Sequence, residues 1–256
     1  MRRLRIASLI SGGGSNNKAI IEACKSGRIN GDVVVVGSDN PEAKGLAYAK
    51  GEGIPTFILD YKATKEACKQ ELDIIETLVP KDFTYDDDLQ KLGMSAAYER
   101  FHGKIHTRLY VGAIVETKLL LELAKYKVDL LVLAGFMRIL MPYFIDRFNT
   151  DPNLPRIINI HPALLPAFPG ENGYEDTYNY GCKVGGCTVH FVDYGEDTGP
   201  IIDQRVVSIY PGETLESFKK RGLAEEWILY PACIQLFAEG RLKLATRGKR
   251  KIVEIN

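Results

Sequence analysis

Net charge, long apolar runs, paired cysteines and tryptophan are what this 256-residue sequence has none or least of. Each lack excludes something. Lys and Arg number 33 and so do Asp and Glu, so no positive excess exists for general attraction to nucleic acid or anionic lipid. An anionic ligand must be held by a local device. The longest uncharged apolar run, Leu130 to Met137, falls far short of the roughly 20 residues that a bilayer requires. After Met1-Arg2-Arg3 the apolar stretch covers only Ile6 to Ile10 and meets Ser11-Gly12-Gly13-Gly14, which is not the form of a signal peptide. The five cysteines (Cys24, Cys68, Cys182, Cys187, Cys233) are scattered without a C-x-x-C, which predicts free thiols in a reducing cytosol. What is present, 45% hydrophobic and 26% charged residues, belongs to a folded globular chain.

The first half alternates short apolar runs with helical patterns, the signature of βαβ units. Leu4 to Ile10 and Asp32 to Val36 read as strands around a helix from Ser15 to Lys25. The unbroken run Val33-Val34-Val35-Val36 suits a strand covered on both faces. Pro55 to Leu59 reads as a third strand and Lys65 to Leu78 as a helix, with Ala67, Leu72, Ile75 and Leu78 on one stripe. Residues 79–112 break this rhythm. A helix from about Ile114 to Lys125 and strands at Asp129–Ala134, Arg156–Ile160, Cys187–Val192 and Ile201–Ser208 follow. A last helical region runs from Thr214 to Ala238, with Pro231 as a kink or boundary. The expected fold is α/β and Rossmann-like, a mostly parallel sheet flanked by helices. Residues 1–256 are expected to form one domain, with a phosphate-binding half of about 1–150 and a catalytic half of about 151–256.

Three motifs carry chemistry. Ser11-Gly12-Gly13-Gly14-Ser15-Asn16-Asn17 lies between a strand and a helix, where glycines permit close backbone approach and the helix N-terminus attracts an anion. Ser15 and Asn16 are natural N-cap residues. The loop fails as a dinucleotide fingerprint because its last position is Asn17, although Asp39 imitates the ribose-binding acid. No Gly-Lys-Ser/Thr follows, so a site for a single phosphate is the better inference. Second, Asn159-Ile160-His161 closes a strand, and alternation puts Asn159 and His161 on one face. An amide donor beside an imidazole suits acyl transfer, one stabilising an oxyanion and the other moving a proton. Third, the loop from Asp193 to Pro200 supplies carboxylates able to orient His161. His190 with Cys182 and Cys187 matches no common zinc spacing, and no metal is expected.

Together these segments resemble the folate-dependent formyltransferases, most closely the branch that acts on glycinamide ribonucleotide. The matching stretches are Leu9 to Asn16, Leu133-Ala134-Gly135-Phe136-Met137-Arg138-Ile139-Leu140, Asn159-Ile160-His161-Pro162 through Gly170, and Gly186 to Val192 with Asp197-Thr198-Gly199-Pro200. They occur in the family's order. The resemblance implies formyl transfer from 10-formyltetrahydrofolate to the amine of glycinamide ribonucleotide in purine biosynthesis. It implies Asn159, His161 and Asp197 as the catalytic trio and Gly14, Ser15 and Asn16 as the phosphate site. It also implies Glu226 at the ribose, and Lys65, Met137, Arg138, Ile139, Leu140 and Asn159 at the folate. Small-molecule substrates, no nucleic acid, no membrane and a cytoplasmic location follow. No pattern specifies an oligomer.

This sequence departs from the family in four places. Glu171-Asn172 follows Phe168-Pro169-Gly170 where Leu-His is usual, so a loop histidine is missing. Glu226-Trp227 replaces a Glu-His pair, and the lone tryptophan is expected to pack in the core. Lys65 stands for an arginine near the folate tail, keeping charge but losing the bidentate fork. Residues 79–112 exceed the family's connection and predict a helical excursion or lid, in which His102 and His106 lie one turn apart. The neutral chain is expected to hide a locally positive site, with Lys65 and Arg138 on the folate side. The alternatives are a formyltetrahydrofolate hydrolase, whose relatives carry an N-terminal regulatory domain, and a formyltransferase acting on another amine. Methionyl-tRNA formyltransferase requires a further tRNA-binding domain and a basic surface. More remote are an NAD(P)-dependent oxidoreductase, resting on Gly12, Gly14 and Asp39, and a nucleotide sensor, which has no need of the trio.

Overall fold

In the computed structural model, which describes residues 2–70, 78–93, 104–151 and 153–256, the chain opens with the expected βαβ unit. Strand β1 (Leu4–Ile10) and strand β2 (Gly31–Ser38) pair in parallel, with helix α1 (Ser15–Lys25) between them. Helix α2 (Lys44–Gly51), strand β3 (Thr56–Ile58) and helix α3 (Tyr61–Gln70) follow. Positions 71–77 of the helix predicted to reach Leu78 lie outside the described residues. Helices α4 (Tyr85–Lys91) and α5 (Lys104–Lys125) lead to β4 (Leu130–Leu133), α6 (Pro142–Phe148) and β5 (Ile157–His161). The remainder is α7 (Gly173–Asn179), β6 (Val184–Phe191), β7 (Ile201–Ser208), α8 (Leu215–Ala238) and a hairpin of β8 (Leu242–Arg247) and β9 (Arg250–Ile255). Helix α8 continues through Pro231, which therefore marks no boundary.

Seven strands form one sheet in the order β3-β2-β1-β4-β5-β6-β7. The first five are parallel, and β6 runs antiparallel to both its neighbours. Strand alternation explains the unbroken apolar runs. Leu130, Val132, Ile158 and Ile160 pack with Ile20, Leu46, Leu229 and Ile234 of α1, α2 and α8 on one face. Leu131, Leu133 and Ile157 pack with Leu119, Leu123, Phe144 and Phe148 of α5 and α6 on the other. The fully buried Tyr230 hydroxyl donates to the carbonyls of Leu133 and Ile158 at 3.1 and 2.8 Å, tying α8 to both strands. Strand order reverses between β1 and β4, and the crevice outside their carboxyl ends is where such sheets bind ligands.

The excursion after residue 79 is helical in its described part. Helix α5 begins at Lys104, ten residues before the expected Ile114, because Leu109 packs with Leu89 of α4 and with Met141. The buried Asp88 carboxylate accepts the Tyr143 N–H at 3.1 Å, and Lys91 reaches Asp146 at 2.6 Å, so α4 is fastened to α6. The side chains of His102 and His106 lie outside the described residues.

Glu116 of α5 is fully buried, and its carboxyl accepts the Met141 N–H at 3.0 Å and the Tyr61 hydroxyl at 3.3 Å. Burial outweighs these bonds and pushes its pKa from 4.5 to about 8. The native state thus keeps a proton that the unfolded chain releases, so stability falls as pH rises from 4.5 to about 8. Glu116→Gln keeps the acceptor for Met141 but does not ionise. Its melting temperature should exceed that of the parent above pH 8, by an amount equivalent to about 3 kcal/mol or more, and the gap should close on acidification. A gap independent of pH contradicts this account.

Candidate active site

The loop after β1 is built by glycine. Gly14 sits at φ 70°, and a Cβ there would lie 2.8 Å from Gly45 Cα. Both the left-handed backbone and the close approach of α2 demand glycine. Gly14 itself is the N-cap, with its carbonyl accepting from Lys18 N–H at 2.8 Å, and Ser15 is already helical. The side-chain cap expected from Ser15 or Asn16 does not form. The first turn of α1 also carries no acidic side chain, which leaves its N–H groups and dipole to an external anion. The loop is held to β4's loop by Ser11, whose N–H donates to Gly135 O at 2.9 Å and whose hydroxyl accepts Met137 N–H at 2.8 Å.

Asn16 does something else than cap. Its Nδ2 donates to Glu226 Oε2 at 2.6 Å, while Tyr174 Oη donates to Glu226 Oε1 at 2.7 Å. All three residues are buried, and Asn16 Oδ1 has no partner among the described residues. Burial raises the Glu226 pKa despite the two donors.

At the carboxyl end of β5, Asn159 and His161 share a face as alternation requires, with Ile160 in the core on the other. His161 Nδ1 lies 3.1 Å from Asp197 Oδ2, and Nε2 donates to the Phe168 carbonyl at 2.7 Å. Phe168 and Asp197 both adopt positive φ, 52° and 55°. Such backbone costs about 1–3 kcal/mol per residue and persists where surrounding structure enforces it. Here both strained residues hold the same imidazole. Only a doubly protonated ring would satisfy both acceptors, yet burial is the stronger influence and keeps the His161 pKa below its ordinary value. For Asp197, burial pushes upward, but His190, the Gly170 N–H (2.9 Å) and His161 together outweigh it and leave the carboxyl below its ordinary range.

His190 is a member of the site that motif reading did not assign. It faces Asn159 across the β5–β6 ladder. Its Nδ1 donates to Phe191 O at 2.9 Å, and its Nε2 lies 3.3 Å from Asn159 Nδ2 and 3.5 Å from Asp197 Oδ1. This engagement with an amide and a carboxylate is a different role from the zinc spacing considered for it.

One cavity of about 1290 Å³ is lined by all twelve residues expected in the site: Gly14, Ser15, Asn16, Lys65, Met137, Arg138, Ile139, Leu140, Asn159, His161, Asp197 and Glu226. It exceeds the roughly 300–1,000 Å³ of a single small-ligand pocket. Met137 and Ile139 present apolar surface, being 53% and 37% exposed. Lys62 of α3 and Arg108 of α5 join Lys65 in the wall, which the sequence reading missed because the helix carrying Arg108 lay in the unpatterned stretch.

Two expectations are corrected. Trp227 is 41% exposed, not packed in the core. Arg138 lines the cavity as expected, and there it also pairs with Asp39 at 2.6 Å and stacks over Tyr61. The cavity wall sets Glu66, Glu171, Asp193, Glu196 and Asp197 against Lys62, Lys65, Arg108, Arg138 and Lys219, while burial holds a proton on Glu116 and raises the pKa of Glu226. The wall therefore has no positive excess, and an anion at the β1–α1 loop is left to the backbone N–H groups of α1.

An amide, two imidazoles and a carboxylate at the ends of β5 and β6, beside a helix N-terminus open to an anion, define an α/β group-transfer site. Comparison with known proteins narrows this class. The formyl transferase family profile matches residues 4–234, and the chain belongs to that family. It is 34% identical over 241 residues to the phosphoribosylglycinamide formyltransferase of Escherichia coli, covering 94% of this chain and 90% of that one. The human trifunctional purine biosynthetic protein adenosine-3 is 31% identical over 248 residues, which cover 97% of this chain and 20% of that longer protein. Among solved structures, glycinamide ribonucleotide transformylase 1 of Symbiobacterium toebii superposes with a TM-score of 0.72 at 37% identity, covering 99% of this chain and 94% of that one.

Proposed function

We propose that the protein transfers the formyl group of 10-formyltetrahydrofolate to the amine of glycinamide ribonucleotide, a step of purine biosynthesis. The observation that carries the reading is the meeting, in one cavity, of an open helix N-terminus and the Asn159, His161 and Asp197 side chains. The N–H groups at Gly14, Ser15 and Asn16 take the ribonucleotide phosphate, and Glu226 takes the ribose. The apolar wall of Met137, Ile139 and Leu140 takes the folate ring, with Lys65 and Arg108 toward its anionic tail.

The chemistry then follows from what each side chain can donate. Asn159 Nδ2 makes only long contacts, 3.3 Å to His190 and 3.4 Å to Asp197, and is free to turn its hydrogen toward the oxygen of the formyl group. As the substrate amine attacks, Asn159 donates to the tetrahedral oxyanion and His161 joins it when its Nε2–H turns from the Phe168 carbonyl, each such donor being worth roughly 3–4 kcal/mol of barrier. The attacking nitrogen loses a proton and the leaving folate nitrogen gains one. Asp197, ionised and hydrogen-bonded to Gly170, orients His161 and relays that proton. Cytosolic residence fits the five free cysteines, and no macromolecular partner is needed.

The test follows folate product by absorbance when pure protein receives 10-formyltetrahydrofolate with and without glycinamide ribonucleotide. Product formed only in the presence of the ribonucleotide supports the proposal. Equal rates without it assign the protein as a hydrolase instead.

A further inference from the structure

Tyr174 belongs to no motif read in the sequence, yet it is the most constrained contact of the proposed ribose site. Its ring lies against Gly222 of α8, where a Cβ would fall 2.3 Å from Cζ and 2.5 Å from Oη. Gly222 therefore opens a notch one helical turn before Glu226, and the ring seated in the notch delivers the hydroxyl to Glu226 Oε1 at 2.7 Å. Phe218 packs edge-on against the same ring at 5.4 Å and fixes its tilt. The other carboxyl oxygen is held by Asn16, from the first turn of the phosphate-loop helix. Three elements, α1, α7 and α8, thus meet at one carboxyl group with both oxygens oriented. Next to it, the buried Asn16 Oδ1 has no partner among the described residues, and Asn16 lines the cavity. A buried acceptor left unpaired is costly. Asn16 Oδ1 and the remaining lone pairs of Glu226 form a set of acceptors without donors, which a sugar hydroxyl pair supplies.

We propose that Tyr174 is a positioning residue that sets ribonucleotide affinity by holding Glu226 in the orientation that receives the sugar hydroxyls. The inference rests on the ribonucleotide reading above. Tyr174 touches neither the formyl group nor the attacking amine, so its effect lies in binding and not in the chemical step. The hydroxyl is the working part, since the ring only places it.

Binding of glycinamide ribonucleotide by isothermal titration calorimetry, together with steady-state kinetics, tests this on the full chain. Tyr174→Phe keeps the ring in its notch and deletes one hydrogen bond to a carboxyl group. It should raise Kd and KM for the ribonucleotide about tenfold, while kcat changes less than about threefold and KM for 10-formyltetrahydrofolate stays the same. Gly222→Ala, which keeps the hydroxyl but displaces it, should weaken ribonucleotide binding alike. In the Glu226→Gln background, Tyr174→Phe should add little, because the partner it positions is already altered. A Tyr174→Phe protein with parental Kd overturns the inference, as does a penalty that adds in full to that of Glu226→Gln. If the parent does not bind the ribonucleotide, the inference fails with it. If the parent binds the ribonucleotide but transfers no formyl group, the proposed function fails and the Tyr174 inference is still decided by the change in Kd.

Discussion

Exchanging His161 for alanine lowers kcat about 10²–10⁴-fold and leaves ribonucleotide affinity within a few-fold of the parent. The split follows from where the residues stand. The imidazole is on β5, between Asp197 and the Phe168 carbonyl, whereas the phosphate site is the first turn of α1. Alanine removes an oxyanion donor and the ring that Asp197 orients for the proton relay together. It also leaves the Phe168 carbonyl without its partner, so a loss of roughly 1–3 kcal/mol of stability accompanies it. Asp197 retains the Gly170 N–H and the neighbouring His190, which limits the damage to the loop. Single-turnover transfer measured alongside calorimetric binding separates the two effects. Unchanged turnover in a folded His161→Ala protein removes His161 from the mechanism.

Asn159→Ala is the second large effect, about 10²–10³-fold in kcat, and here stability should hardly change. The side chain is half-buried and its hydrogen bonds are long, so little of the fold depends on it. Its loss acts on the transition state, and KM for both substrates should stay near the parental values. Turnover within threefold of the parent assigns oxyanion stabilisation to another group. A large drop in melting temperature makes Asn159 structural.

The parts of the site that sequence made legible are those in which one short segment carries both geometry and chemistry. Gly12 to Asn16 mark a strand-to-helix turn, and Asn159 and His161 need only strand alternation to share a face. Parallel strands β1, β2, β4 and β5 were readable because burial on both faces leaves unbroken Val, Ile and Leu runs. What escaped depends on pairing across distance. His190 meets Asn159 through an antiparallel register that no local pattern encodes. Tyr174 reaches Glu226 because a glycine three elements later makes room. Trp227 was misplaced because composition favours burying the lone tryptophan, whereas its helix turns Glu226 inward and Trp227 outward. Helix α6 is short and is capped by Asp88 and Glu116 from other elements rather than by its own sequence, and the Gly248 turn of the β8–β9 hairpin lies beyond the last strong periodic segment. The expectation of a positive site failed for a related reason. Charges can be counted along the sequence, but which of them the fold gathers around one cavity, and which it neutralises by burial as at Glu116, cannot.

The central claim is that a formyl group moves from folate to a ribonucleotide amine within this cavity. Mass spectrometry of the ribonucleotide after incubation with 10-formyltetrahydrofolate carrying a labelled formyl carbon tests it most directly. The account predicts a ribonucleotide bearing the label in an amide, formed in step with tetrahydrofolate. Label released as free formate, with the ribonucleotide unmodified, would contradict it.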